Sequence, residues 1–164
     1  MYELAEYLRR EYMISNPKNG WCDFVLGDFH GTPSYLTNVP IDLLTAFKEY
    51  LYSGTGICWF DEEGTEFTLV MTPYSLFIIE EKDKPVLHDF SDMDIKKLAL
   101  EAVTDVESNI DKWSEFNTSS IHNDEAKKSY KFLLEDLIEL IKGKCKYEAK
   151  RKEQSYQMGK HIIR

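Results

Sequence analysis

The segment GICWFDEEGTEFTLVMTPYSLFIIEEKDKPVLHDF (residues 56–90) decides the fold. Its four apolar runs, GICWFD, EFTLVMT, LFIIEE and PVLHDF, are linked through DEEG, PYS and KDK, each short enough for a hairpin or tight link. Strands joined this closely pair antiparallel, because a parallel pair needs a crossover of a dozen or more residues. The spacing therefore predicts a four-stranded meander. It also crowds four acids, Asp61, Glu62, Glu63 and Glu66, around the first connection.

Upstream, VPIDLLTAFKEYLYSG places Leu43, Leu44, Phe47 and Leu51 on one helical stripe, with Pro40 suited to the first turn and Gly54 to the stop. Before it, WCDFVLGDF (21–29) alternates as a strand does, with Cys22, Phe24 and Leu26 on one side. Leu4, Tyr7, Leu8 and Tyr12 predict a short amphipathic helix over residues 2–13, which the turn cluster SNPKNG (15–20) ends. Downstream, Ser91 and Asp94 resemble a capping box with Asp in place of Glu. Helical periodicity then runs from Ile95 through Ala102 and Val106 to Trp113, reaching about residue 116. NTSSIHN (117–123) breaks it. A last helix carries Tyr130, Leu133, Leu134, Leu137, Ile138 and Ile141 on one face, with a continuation past Gly143 left open.

Strands grouped together and helices grouped together indicate α+β: an antiparallel meander sheet of four to five strands, with helices packed mainly on one face. Residues 1–145 read as one globular domain and 146–164 as a basic C-terminal helical extension or tail. A chain of 164 residues buries about two thirds of its unfolded surface, so no disulfide or metal is needed to hold it together. The three cysteines (Cys22, Cys58, Cys145) form no C-x-x-C pair, and the N-terminus lacks a signal-peptide h-region. Both features lead us to expect a reducing, cytoplasmic setting. No apolar run approaches the roughly 20 residues of a membrane span.

The net charge of −9 is unevenly distributed. Residues 56–117 hold fifteen acids and five bases, whereas residues 142–164 hold eight bases and two acids. The acidic majority disfavours general attachment to phosphate backbones, which needs a basic face. In the basic tail, Lys and Arg complement a helix C-terminus, and Glu148 pairs with Lys152 at i, i+4.

Motifs for catalysis are missing. DEEGTEF has neither the spacing of a calcium loop nor a second ligand cluster. Carboxylates at a hairpin tip are ordinarily solvated, or they steer a basic partner. DFHG (28–31) sets Asp28 and His30 two residues apart on one strand face, and Cys22 lies too far along an extended strand to complete a nucleophilic dyad with His30. His88 and Asp89 alternate to opposite faces. GTG (54–56) is too short for a phosphate loop, and there is no H-x-x-x-H pair or four-ligand metal set. The expectation is a non-enzyme with no metal and no cofactor. Trp59, beside the acidic turn, and Tyr74 have the character of interface anchors.

This profile, compact, acidic and free of motifs, resembles the immunity proteins of bacterial polymorphic-toxin and contact-dependent inhibition systems. The likeness is one of architecture over about residues 20–117, and is carried by PIDLLTAFKEYLYSGTGICWFDEEGTEFTLVMTPYSLFIIEE. The resemblance implies a protein partner: a cognate toxin, often a basic nuclease, whose active site or substrate groove is occluded. Asp61, Glu62, Glu63 and Glu66 would then supply charge, and Trp59 and Tyr74 the anchors. Two rivals stand beside it: an adaptor or self-assembling protein that dimerises through the stripe of the last helix, and a small enzyme using Asp28 and His30.

Overall fold

The computed structural model describes residues 12–117 and 123–143. The expected turns of helix over 2–11, the break at 118–122 and the basic segment 146–164 lie outside the described residues. Three short strands, β1 (Ile14–Lys18), β2 (Trp21–Leu26) and β3 (Phe29–Gly31), form one antiparallel sheet. Helix α1 (Val39–Ser53) follows, then the meander β4 (Gly56–Asp61), β5 (Glu66–Met71), β6 (Leu76–Glu81) and β7 (Val86–Asp89). Helices α2 (Ile95–Glu107), α3 (Ile110–Ser114) and α4 (Asn123–Lys142) complete the described residues. The class is α+β, with a meander of four strands in sequence order, as the turn spacing predicted.

Sterics fix the join between α1 and the meander. Gly54 takes a left-handed φ of 88° at the end of α1, and its N–H donates to Tyr50 O at 2.7 Å. Two residues on, a Cβ at Gly56 would lie 2.1 Å from Ala46 O, so only glycine lets β4 run this close under the helix. The β4–β5 connection closes through Glu62 N donating to Thr65 O, with φ positive at both Glu63 (54°) and Gly64 (131°). Two positive φ values are what a two-residue hairpin turn asks of its central residues.

Four phenylalanines join the sheets. Phe24 of β2 lies 5.2 Å from Phe60 and 5.1 Å from Phe67 between ring centroids, and Phe29 of β3 lies 4.9 Å from Phe67. All four are buried. Such aromatic pairs add about 0.5–1.5 kcal/mol each beyond their burial. Asp105 of α2 is 2% exposed and accepts the backbone N–H of Met13 at 2.8 Å and of Ile14 at 3.4 Å, clasping the start of β1.

Several local expectations are corrected. Tyr12 and Met13 are not helical, and Ile14–Lys18 is a strand where the sequence suggested only turn. The run 21–29 is not one strand either: Gly27 and Asp28 turn the chain, and Val25 pairs with His30. Cys22 therefore sits opposite Pro33, to whose carbonyl its N–H donates. Helix 95–116 breaks at Ser108–Asn109, where Ser108 Oγ donates to Asp105 O. Side chains of this kind compete with helical backbone bonds. The cap of α2 is Asp94 alone, accepting from Lys96 N at 3.0 Å and Lys97 N at 3.2 Å. Ser91 instead serves β6, receiving Leu76 N at 3.1 Å. The stripe of the last helix faces inward: Tyr130, Leu134 and Leu137 are buried, and Leu133, Ile138 and Ile141 pack against the core.

Candidate protein-interaction face

Burial along the meander alternates, so its two faces are easily told apart. Cys58, Phe60, Phe67, Leu69, Met71, Leu76 and Ile78 point inward and are buried. The register sets the opposite side chains into rows across the strands. One row is Ile57, Val70, Phe77 and Asp89; the next is Trp59, Thr68, Ile79 and Leu87; the third is Asp61, Glu66 and Glu81. Ile57 is 64% exposed, Leu87 61% and Trp59 44%. Val70, Phe77 and Ile79 are half-buried.

This arrangement departs from the ordinary antiparallel sheet, whose solvent face is polar. Six large apolar side chains form one surface, and single-residue accidents do not produce such contiguity. About 7 Å further along the strands, three carboxylates stand in line. Asp61 lies directly opposite Glu66, and Glu66 directly opposite Glu81. Like charges so placed oppose folding. Beyond them a shallow depression opens between the two hairpin turns, bordered by Gly64, Thr65, Glu81, Lys82, Asp83 and Lys84.

The other residues singled out from sequence fall in different places. Glu62 is committed to the fold: Oε2 accepts Thr32 N at 2.6 Å and Thr32 Oγ1 at 3.2 Å, and Oε1 accepts Thr65 Oγ1 at 3.2 Å. Glu63 is exposed at the turn, and its N–H donates to Asp61 Oδ1 at 2.7 Å. Tyr74 is 54% exposed but belongs to the β5–β6 turn, at the end of the sheet away from the acids. The structure thus brings Trp59, Asp61 and Glu66 together, turns Glu62 to an architectural task and separates Tyr74. Sequence reading missed Ile57, Val70, Phe77, Ile79, Leu87 and Glu81. The signal was present, since in these strands apolar residues occupy both parities where a half-solvated strand should alternate.

Asp28 stands in the β2–β3 turn and His30 on β3, both exposed, and neither lines the depression at the hairpin turns or the cavities beside Asn38, Asn19 and Asp105. Burial pushes the thiols of Cys22 and Cys58 well up from their ordinary value, leaving them protonated and unreactive. His88 is on the inner side of β7, 5.0 Å from the ring of Phe29, with Nε2 3.0 Å from Glu80 Oε2. Lys82 at 2.7 Å and His88 together hold the Glu80 carboxyl below the usual range, the hydrogen bond from Lys82 being the larger cause. Asp89 is likewise lowered, first by the hydroxyl of Ser91 and then by its N–H. Among the described residues no group of three or more His, Cys, Asp or Glu could hold a metal ion, and no helix is long and apolar enough to cross a membrane.

Against known proteins, the chain matches no family model, no curated protein and no solved structure.

Proposed function

We propose that this protein is a non-catalytic, cytoplasmic protein-binding module of the immunity type, which neutralises a cognate toxin by covering its active site or substrate groove. The observation that carries the reading is the outer face of the meander: contiguous apolar rows ending in a line of three carboxylates. The complement of such a face is a protein with an apolar ridge beside a basic cluster. A nuclease whose groove is built to hold phosphates has that character. The carboxylates of Asp61, Glu66 and Glu81 would steer the encounter, as charge chiefly sets on-rates, and Trp59 with Ile57 and Leu87 would form the desolvated centre.

The supporting test uses the product of the neighbouring reading frame, purified in an inactivated form. Under this reading it binds the protein with an association rate that falls as salt rises. Trp59→Ala then raises the dissociation rate at least tenfold, while Glu66→Gln with Glu81→Gln lowers the association rate and flattens its salt dependence. An association rate indifferent to both salt and the paired Gln substitutions refutes the steering role, and unchanged affinity in Trp59→Ala removes the face from the interface.

A further inference from the structure

The turn after β4 determines which of its backbone groups face out of the sheet. Glu62 N–H donates to Thr65 O at 2.8 Å, so these two residues form a hydrogen-bonded pair. In an antiparallel ladder such pairs alternate with pairs that exchange no bond. Along the register, Phe60, Cys58 and Gly56 therefore bond to β5, while the N–H and C=O of Asp61, Trp59 and Ile57 point away from it. Asp61 shows this orientation directly, because its carbonyl accepts Ser34 N–H at 2.8 Å from outside the meander. Thr37 N–H then returns to Ser34 O, and the loop turns off after that single rung. Among the described residues, nothing pairs with the outward N–H and C=O of Trp59 and Ile57.

The two edges of the meander differ in how they are guarded. β7 has only four residues, and Lys84 and Pro85 stand immediately before it. Short length, Lys and Pro are devices that keep an edge from pairing. β4 has six residues, an unbroken register with β5, and neither Lys nor Pro. The same two residues whose backbone is unpaired, Ile57 and Trp59, carry exposed apolar side chains. Such an edge is a template for another strand. Its outer face runs from apolar at Ile57 and Trp59 to a carboxylate at Asp61.

We propose that β4 takes an extended segment of a partner protein as a further antiparallel strand, apolar beside Ile57 and Trp59 and basic beside Asp61. Antiparallel addition continues the order of the meander and is the slightly more stable pairing per residue. The segment would run with its N-terminal end toward Asp61, and would pair through both N–H and C=O at Trp59 and again at Ile57. Main-chain bonds supply affinity in this mode, and alternate side chains supply specificity. A Lys or Arg two residues before the first apolar position would meet the Asp61 carboxylate, whose own carbonyl Ser34 already holds. Such a strand rests on the protein-binding reading of this region, to which it adds the form of the partner's segment.

The probe is the peptide acetyl-Lys-Thr-Val-Thr-Val-Thr-amide, titrated into the whole protein and followed by backbone amide NMR and hydrogen exchange. In the free protein the Ile57 and Trp59 amides should exchange far faster than those of Cys58 and Phe60. The peptide should shift the Ile57 and Trp59 signals saturably and slow their exchange. N-methylation of both valines, whose N–H groups face β4, should weaken binding by about tenfold or more. N-methylation of the Thr between them, whose N–H faces away, should change it by less than about twofold. Ile57→Pro removes an outward donor and no bond to β5, so it should weaken binding while the Cys58 and Phe60 amides stay protected. Slow exchange of Ile57 and Trp59 in the free protein, no saturable shift, or equal losses from the two N-methylations overturns the proposal. Failure of the peptide while the inactivated product of the neighbouring reading frame still binds refutes the added strand alone. Peptide binding with that product ignored supports the strand and refutes the toxin reading.

Discussion

Glu66 is the middle member of the carboxylate row, with Asp61 directly opposite on one side and Glu81 on the other. Directly paired residues in antiparallel strands stand about 5 Å apart, at which two like charges repel by about 0.8 kcal/mol in the dielectric of water. Glu66→Gln removes two such pairs. Screening at physiological ionic strength, with a Debye length of about 8 Å, roughly halves the sum and leaves a stabilisation of about 1 kcal/mol. Glu66→Lys turns both repulsions into attractions and should gain about twice as much. For a domain of this size 1 kcal/mol raises Tm by about 2–4 °C. Calorimetry of the three proteins at low and high salt reads the effect, which should shrink as salt rises. A natural sequence that keeps a removable instability of this kind is consistent with selection for something other than folding. If Glu66→Gln lowers Tm, or raises it equally at all salt concentrations, electrostatic repulsion in the row is not what the register implies, and the steering argument loses its foundation.

Two further outcomes follow from the contacts. Gly56→Ala places a methyl group 2.1 Å from Ala46 O, so α1 must lift from β4; chemical denaturation should show a loss of roughly 3 kcal/mol or more, in the range of severe core disruption. Acid should loosen β7 first. Glu80 and Asp89 have folded pKa values below their ordinary carboxylate values, so their stabilisation is complete only above about pH 5, where the unfolded groups are also ionised, and is lost as pH falls through the lowered folded values. Hydrogen exchange across pH 5 to 3 should release the Val86–Asp89 amides ahead of those of β5, and Glu80→Gln should remove much of that pH dependence.

The meander was legible because its information is local. Gly54 stops a helix, Gly64 completes a turn, and apolar runs of about six residues between them leave one arrangement. β1 was hidden because it is irregular. Asn16 has a φ of 54°, the register with β2 shifts between Ser15 and Lys18, and Pro17 sits within the strand, so its residues carry turn chemistry while pairing as a bulged edge. β3 was hidden by a two-residue turn inside what reads as one alternating run. The charge of the candidate face could be seen in sequence, but its direction could not. Glu62 and Glu66 are equally acidic; only the register shows that one reaches Thr32 while the other stands on the open face.

The clasp at Asp105 also imposes an order in time. Its carboxylate receives Met13 N–H across 92 residues. Closing a loop of that length has an entropic cost of about 4 kcal/mol on a logarithmic scale, so the clasp is favoured only after the meander has drawn the intervening chain together. On the ribosome the delay is literal. At about 5–20 residues per second, the backbone N–H groups at the start of β1 wait roughly 5–20 s for the carboxylate that will accept them. The β1–β2 hairpin therefore emerges well before the helix that clasps it, and its edge strand stays unfastened until α2 has been made.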